Sequence, residues 1–428
     1  MGATLVISFL SVIAIGVPVA FALGIAAVIV FVLVNPDLLA LLPQRIFTGI
    51  DLFALIAVPF FILAGELMGS SGILGRILRF AQLVSGHIRG SVAQVTILVS
   101  MMFGWINGSG VAGASAVGSM LIPSMNETYK NNAFGAAVTA CSSTIGPIIP
   151  PSVPMILYAL IAENVSVAGM FAAGVVPGLL MAAGMMGVTY LIARKRNYPT
   201  ESVSTTFREK VRIVRRFLVA GALPVIMVGG IVGGVFTPVE AGAVAVLYAL
   251  FVGTFVTRTL TLDSVYKALI NTGVITSVVF LMMGVANFAS WIITTEQVPQ
   301  SVADAISLVT TNPLVFLLLV NIILLIAGLF FDAVAAMVMF APILVPLSEA
   351  FGIPPLHFGT IFVINLIIGL VTPPVGMCLF ITAGIGKARI ESVFRESLPY
   401  LAWLLTVLMI VTYLPAAYLW LPEWLGYR

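Results

Sequence analysis

Apolar runs recur from one end of this sequence to the other. Eleven of them cover residues 4–34, 46–68, 91–124, 133–162, 167–193, 217–235, 240–257, 271–294, 313–347, 358–385 and 398–420. A spanning helix needs roughly 20 such residues. Charged residues make up 8% of the chain and hydrophobic ones 61%, where a soluble domain carries about 25% charged residues. The sequence therefore predicts an all-α polytopic membrane protein, with the backbone satisfied inside helices. The run 4–34 lacks a basic start and is too long for a signal-peptide core, so it reads as a retained span. Cys141 and Cys378 lie inside apolar stretches and read as small hydrophobes, with no disulfide or metal framework.

Charge sets the expected orientation. Arg194–Arg216 carries eight Lys and Arg against two Glu, and the positive-inside rule places it in the cytoplasm. The cytoplasmic segments become 69–90, 125–132, 194–216, 258–271 and 386–397 when 91–124 and 313–347 each enter and leave on one side. They then hold 17 of the 19 Lys and Arg; only Arg45 and Arg428 fall elsewhere. This parse puts the N-terminus in the cytoplasm and the C-terminus outside. The net charge of +3 is accounted for by topology and does not suggest nucleic-acid binding.

The two exceptional stretches share a layout. In the first, apolar arms flank "WINGSG" (Trp105–Gly110); in the second they flank "GLFFDA" (Gly328–Ala333). Arms of about 14 residues reach ~21 Å, short of a ~30 Å hydrocarbon core. Each stretch reads as a re-entrant hairpin with its tip near the midplane. Next to them are two interrupted spans. Residues 133–162 contain "STIGPIIPPSVP" (Ser143–Pro154), with Pro147, Pro150, Pro151 and Pro154, and 358–385 contain "IIGLVTPPVGMC" (Ile367–Cys378). Proline removes a backbone donor and blocks the helix, while glycine permits the turn.

A shift of 223 residues lays Pro123 on Pro346, Gly146 on Gly369 and Pro150-Pro151 on Pro373-Pro374. The halves, 1–193 and 217–428, joined by the basic linker 194–216, form an inverted repeat. Inverted repeats with discontinuous helices mark secondary transporters. Irregular backbone at membrane depth is tolerated only around a protected cavity. Freed carbonyls there suit a hard cation, and helix N-termini suit an anion. Two tips meeting two breaks would build two cation sites around one anion site.

The candidate cation ligands are Asn107, Ser109, Gly146, Ile149, Pro151, Gly328, Asp332, Gly369 and Thr372. Candidate substrate contacts are Asn107, Ser152 and Gly376. Asp332 is the single acid at a hairpin tip, where a charge is costly and usually functional; its alternative role is to cap the second arm. Capping is also the alternative for Asn107 and Ser109. Thr372 overlays Ile149, so a hydroxyl is available at one break and only a carbonyl at the other. Glu66 reads as structural at the end of its span, and Glu240 as structural at a helix start, where it suits the dipole. Asn287, Asn321 and Asn365 read as interhelical hydrogen-bond partners. No Lys or Arg falls mid-span, so a bound cation would have to neutralise the site before an anion enters. The stretches 70–89, 262–271 and 299–310 read as interfacial arms or plain connectors.

"PFFILAGELM" (Pro59–Met68), "GPIIPPS" (Gly146–Ser152), "GGIVGGVFTPVEAGAVAVLYAL" (Gly229–Leu250) and "GLVTPPVGMCLF" (Gly369–Phe380) resemble the large membrane subunit of TRAP (tripartite ATP-independent periplasmic) transporters. The resemblance runs over essentially the whole chain. It implies an elevator-type transporter of the bacterial inner membrane that imports an organic acid, such as sialic acid or a C4-dicarboxylate, with sodium. It further implies a small four-helix membrane partner, absent ahead of residue 1, and a periplasmic substrate-binding protein. A stand-alone sodium–carboxylate symporter of similar plan is the alternative. An intramembrane enzyme lacks its constellation: Asp332 is the lone deep acid, and His87 and His357 lie near membrane edges. The chain has no Walker-type phosphate loop, which excludes ATP hydrolysis by this subunit.

Overall fold

The computed structural model describes residues 2–34, 36–200, 206–297, 300, 302, 306, 310–373 and 376–427. Helices account for the regular structure, with no strand among the described residues. Seven of those helices are long and apolar enough to cross a bilayer: Phe53–Ser70, Val167–Lys195, Pro238–Val256, Leu262–Thr295, Pro313–Phe330, Ala333–Ala350 and Ile390–Tyr413.

Both hairpins form. The first joins Ser91–Asn107 to Gly110–Tyr129, and the second joins Pro313–Phe330 to Ala333–Ala350. Their arms have 17, 20, 18 and 18 residues, longer than the apolar runs alone suggest. In the first hairpin the helix continues past Pro123 through the polar residues Ser124–Tyr129. At 1.5 Å per residue these arms reach about 26–30 Å, so the shortfall expected of 14-residue arms is not found.

Both interrupted spans are broken. Asn132–Ser143 and Val153–Ala162 flank the first break, and Pro355–Gly369 and Met377–Gly386 flank the second. Pro374, expected to help keep the second break open, lies outside the described residues, as does Val375.

The hairpins enter from opposite ends of the molecule. Asn131, just past the base of the first, donates to Glu396 at 3.2 Å in the second turn of Ile390–Tyr413. At the far end of that helix, Tyr413 donates to the Leu314 carbonyl at 3.4 Å, and Thr412 accepts from Asn321 at 3.0 Å. Leu314 and Asn321 belong to the first arm of the second hairpin. The two bases thus sit about 25 Å apart along one helix, at 1.5 Å per residue.

Several expectations need correction. The run 4–34 is not one span. Gly16, with φ +88, and Pro18 split it into Gly2–Ala14 and Val19–Val34, which fold back on each other. Residues 46–68 divide at Asp51 into Leu42–Ile50 and the span Phe53–Ser70. The 262–271 stretch is no separate arm, because it forms the first turns of Leu262–Thr295, capped by Thr261. By contrast, Ile73–Ser85 is a separate helix, joined to the first hairpin through Gly90 at φ +72. The basic linker is partly helical: Phe207–Val232 carries its second half into the membrane region. Most of 299–310 lies outside the described residues.

Close packing holds the halves together. A Cβ on Gly184 would lie 1.7 Å from the Trp403 ring, whose Nε1 donates to the Leu180 carbonyl at 3.2 Å. Gly359 likewise admits the fully buried Tyr158 ring, joining the two broken helices. Burying a ring of this size contributes about 2–3 kcal/mol in water, but less between helices already surrounded by lipid.

Candidate transport site

Each hairpin tip is built by a stop signal followed by a cap. The first arm of hairpin one ends on Gly108, in the left-handed region at φ +65, with its N–H on the Gly104 carbonyl at 2.7 Å. Glycine accepts that conformation without a Cβ penalty. Ser109 then turns extended, and its Oγ accepts from Ala112 N–H at 3.3 Å. In hairpin two Asp332 does the same: its carboxylate accepts from Val334 N–H at 3.1 Å. Asp332 and Ser109 are thus both N-caps, as the alternative reading holds. Asn107 makes no protein hydrogen bond through its amide among the described residues.

The breaks are held open by specific bonds. Ser152 caps Val153–Ala162, accepting from Met155 N–H at 3.3 Å, and donates back across the break to the Pro147 carbonyl. The Pro150–Pro151 peptide is cis. In the second break Gly376 takes φ +36, and Cys378 N–H reaches back to the Leu370 carbonyl at 3.0 Å. The Thr372 hydroxyl donates to the Ile368 carbonyl at 2.9 Å.

Tip meets break in each half through a pair of glycines. A Cβ on Gly146 would lie 2.5 Å from Gly104 Cα, and a Cβ on Gly369 would lie 2.6 Å from Gly328 Cα. Real Cβ atoms do not approach backbone so closely, so only glycine pairs permit these contacts. A side-chain bond accompanies each pair. Ser142 donates to Ser100 at 2.8 Å in the first half, and Asn365 donates to Asn321 Oδ1 at 2.7 Å in the second. Asn321 and Asn365 are therefore interhelical partners, as expected. Asn287 instead packs its Cβ against Gly49. Glu240 forms a capping box with Thr237, accepting from its N–H at 2.8 Å, which is the structural role expected of it.

The two tips converge on one cavity of about 200 Å³. Its polar lining comes from Asn107, Ser109, Asp332 and Glu66, and no Lys or Arg takes part. Pro147 and Leu370 bring in the two breaks, while Ile275 and Val279 of Leu262–Thr295 close the outer wall. Of the candidate residues, Asn107, Ser109 and Asp332 line this space. Gly146, Ile149, Pro151, Ser152, Gly328, Gly369, Thr372 and Gly376 do not; they form the layer behind it. In that layer the Gly146, Ile149 and Pro151 carbonyls accept no backbone hydrogen bond among the described residues, whereas the Gly369 carbonyl takes Thr372 N–H at 3.1 Å. The Thr372 carbonyl, matching Ile149, likewise accepts no backbone hydrogen bond among the described residues, so the comparable positions of the two breaks differ at the glycine carbonyl.

Glu66 was expected to be structural at its span's end. Instead it lines the cavity, because Gly65 lets its helix lie directly on the tip: a Cβ there would meet Asn107 Oδ1 at 2.9 Å. The available signal was an acid directly after a glycine within an apolar run, where a charge is expensive. Two carboxylates facing a small cavity without a basic residue favour a bound cation. No group of three or more His, Cys, Asp or Glu that could hold a metal ion occurs among the described residues.

Two inverted hairpins and two broken helices meeting at one cavity define the fold of a secondary transporter. Residues 6–417 match the family described as the tripartite ATP-independent periplasmic transporter, DctM component, and the chain belongs to that family. It is 42% identical over 414 residues to the sialic acid TRAP transporter large permease protein SiaM of Vibrio cholerae, covering 96% of each chain. It is 40% identical over 404 residues to the C4-dicarboxylate TRAP transporter large permease protein DctM of Pseudomonas aeruginosa, covering 94% of each. The isethionate TRAP transporter permease protein DctMQ of Oleidesulfovibrio alaskensis is 40% identical over 402 residues, which are 94% of this chain and 63% of that protein. Among solved structures, the YdaH transporter of Alcanivorax borkumensis shares the fold with a TM-score of 0.59 at 16% identity, covering 91% of this chain and 88% of that one. MtrF of Neisseria gonorrhoeae aligns with a TM-score of 0.57 at 15% identity, over 88% of this chain and 83% of its own.

Proposed function

We propose that this chain is the large membrane subunit of a sodium-coupled transporter of the inner membrane. It imports an organic acid handed over by a periplasmic binding protein, alongside a small membrane subunit. The observation that carries this reading is the convergence of both hairpin tips on one cavity that holds two carboxylates and no basic residue. An anionic substrate entering such a space meets repulsion until cations neutralise it. Sodium bound by the free carbonyls of Gly146, Ile149 and Pro151, and by Asp332, would bind first and make the site attractive to a carboxylate. Binding order then supplies coupling, and two cations fit the twofold construction. The relatives' substrates, sialic acid and C4-dicarboxylates, belong to the expected class, and selectivity resides largely in the soluble partner. The hairpins and broken helices move together against the outer helices, including Phe53–Ser70 and Leu262–Thr295. The face bearing Arg76–Arg89 and Arg194–Arg216 is cytoplasmic.

The test is uptake into proteoliposomes carrying the chain with its small subunit and substrate-loaded binding protein. Uptake is expected under an inward sodium gradient without ATP, and to fall to background when potassium replaces sodium on both sides. Sodium-independent uptake would overturn the coupling. Full uptake of free substrate without the binding protein would favour the stand-alone symporter.

Asp332→Asn separates the two roles of that residue. Asn caps a helix about as well as Asp, so expression and stability should stay within about 0.5 kcal/mol of the parent. The sodium concentration for half-maximal uptake should rise about tenfold or more, the effect of losing one charged ligand worth ~1.5 kcal/mol or more. An unchanged sodium titration would reduce Asp332 to a cap.

A further inference from the structure

A second cavity shares no lining residue with the transport site. It is an open groove of about 1180 Å³ between the arm helix Ile73–Ser85 and the helix Phe207–Val232. Arg76 and Arg79 line it from the arm, and Lys210, Arg212, Arg215 and Arg216 line it from the facing helix. Spacings of three and four residues put Arg76 with Arg79, and Arg212 with Arg215 and Arg216, on one face of their helices. The lining contains one acid, Glu209, and its carboxylate is engaged in its own helix cap, accepting from Thr206 N–H at 2.9 Å and Thr206 Oγ1 at 3.0 Å. None of the six basic groups forms an ion pair among the described residues. By contrast, Arg196, on the same face of the protein, is paired with Glu396 at 2.9 Å.

The helices are clamped together beside this groove. Phe80 stacks on Phe217 with ring centroids 3.9 Å apart and planes 7° from parallel. Leu83, Val219 and Val256 continue the apolar floor. The groove therefore offers a cluster of positive charge above a strip suited to hydrocarbon.

We infer that this groove binds the phosphate headgroup of an anionic membrane lipid, with the acyl chains running down the apolar flank, and so ties the arm helix to the helix it faces. Free phosphate shares the headgroup chemistry but has no use for the apolar strip. Basic residues near a membrane surface attract anionic lipid, and basic pockets between helices collect such headgroups. Four or more unpaired guanidinium groups around one groove go beyond what topology requires, because a topogenic charge works equally well without a cavity. The inference rests on the membrane fold and does not depend on sodium coupling or substrate.

The test is native mass spectrometry of the purified full chain titrated with phosphatidylglycerol, phosphatidylcholine or glycerol 3-phosphate. Phosphatidylglycerol is expected to bind preferentially. Arg79→Gln with Arg215→Gln should weaken it roughly 25-fold, at roughly fivefold per charge, and Arg79→Lys with Arg215→Lys should restore most of it. Arg194→Gln with Arg389→Gln, exposed elsewhere among the segments assigned to the cytoplasm, should leave binding unchanged. Equal loss in that second pair would reduce the effect to general surface charge and overturn the site. Equal affinity for glycerol 3-phosphate would replace the lipid with a soluble anion. Loss of the co-purifying small subunit in the Gln pair, with lipid binding intact, would make the groove a protein interface and overturn the proposal. The Lys pair keeps the test meaningful if the Gln pair folds poorly.

Discussion

Gly146→Ala is expected to remove most transport, and Gly369→Ala to do the same from the other half. In both, the new methyl group would lie within 2.6 Å of a glycine Cα on the facing hairpin. That neighbour is backbone and has no flexible end to swing aside. Overpacking of this kind costs about 1–3 kcal/mol, so relief must come by drawing the hairpin tip away from the break. Movement of Gly104 carries Asn107 and Ser109 with it, and movement of Gly328 carries Asp332. A tip displaced from its cavity loses its cation geometry, with a loss of about ten- to a hundredfold in uptake at matched protein levels. Gly229→Ala is the control. It is also a helix glycine, but a Cβ there meets nothing within 4 Å, and alanine improves helix propensity by up to ~1 kcal/mol. Uptake by Gly146→Ala equal to that of Gly229→Ala would mean that the close contact does not position the tip.

The glycine pairs also show how far the sequence could be read. Gly146 and Gly369 stand out because each precedes a proline-rich break at one shared shift. Their partners do not. Gly104 and Gly328 are separated by one residue more than the breaks are, so an overlay at a single shift misses the match. The same pattern holds elsewhere. Breaks and tips are local events, written in proline, glycine and capping residues, and they were legible. What lines the cavity is decided by which helix lies on which, and that was not. Glu66 sits where its apolar run gives way to Gly69, Ser70 and Ser71, so its charge looks peripheral until Gly65 packs on Asn107. The fold-back near the N-terminus was hidden for another reason. Both sides of Gly16 and Pro18 are apolar, so hydropathy alone runs straight through the turn. Thr372 shows the converse, because the residue type suited a ligand but the hydroxyl turned back to its own helix.

Cysteines at the two hairpin bases are expected to label from opposite sides of the membrane. Glu127→Cys lies in the last turns of the first hairpin and Glu349→Cys in the last turn of the second, and both positions are exposed. An impermeant maleimide should reach the first only from the cytoplasm and the second only from outside. Background should be low, since Cys141 and Cys378 are both fully buried. Two independent arguments lead to this outcome. Seventeen of the 19 basic residues gather on one face only if each hairpin returns to its own side. Separately, the hairpin bases are fastened to opposite ends of Ile390–Tyr413, through Asn131 to Glu396 at one end and through Leu314 to Tyr413 at the other. A membrane-crossing helix cannot have both ends on one side. Labelling of both cysteines from the same side would therefore contradict the helix contacts as well as the charge rule. It would turn one hairpin into a single true span and separate the tips. The shared cavity, and with it the neutralise-then-bind coupling built on Asp332 and the Gly146–Pro151 carbonyls, could not then form.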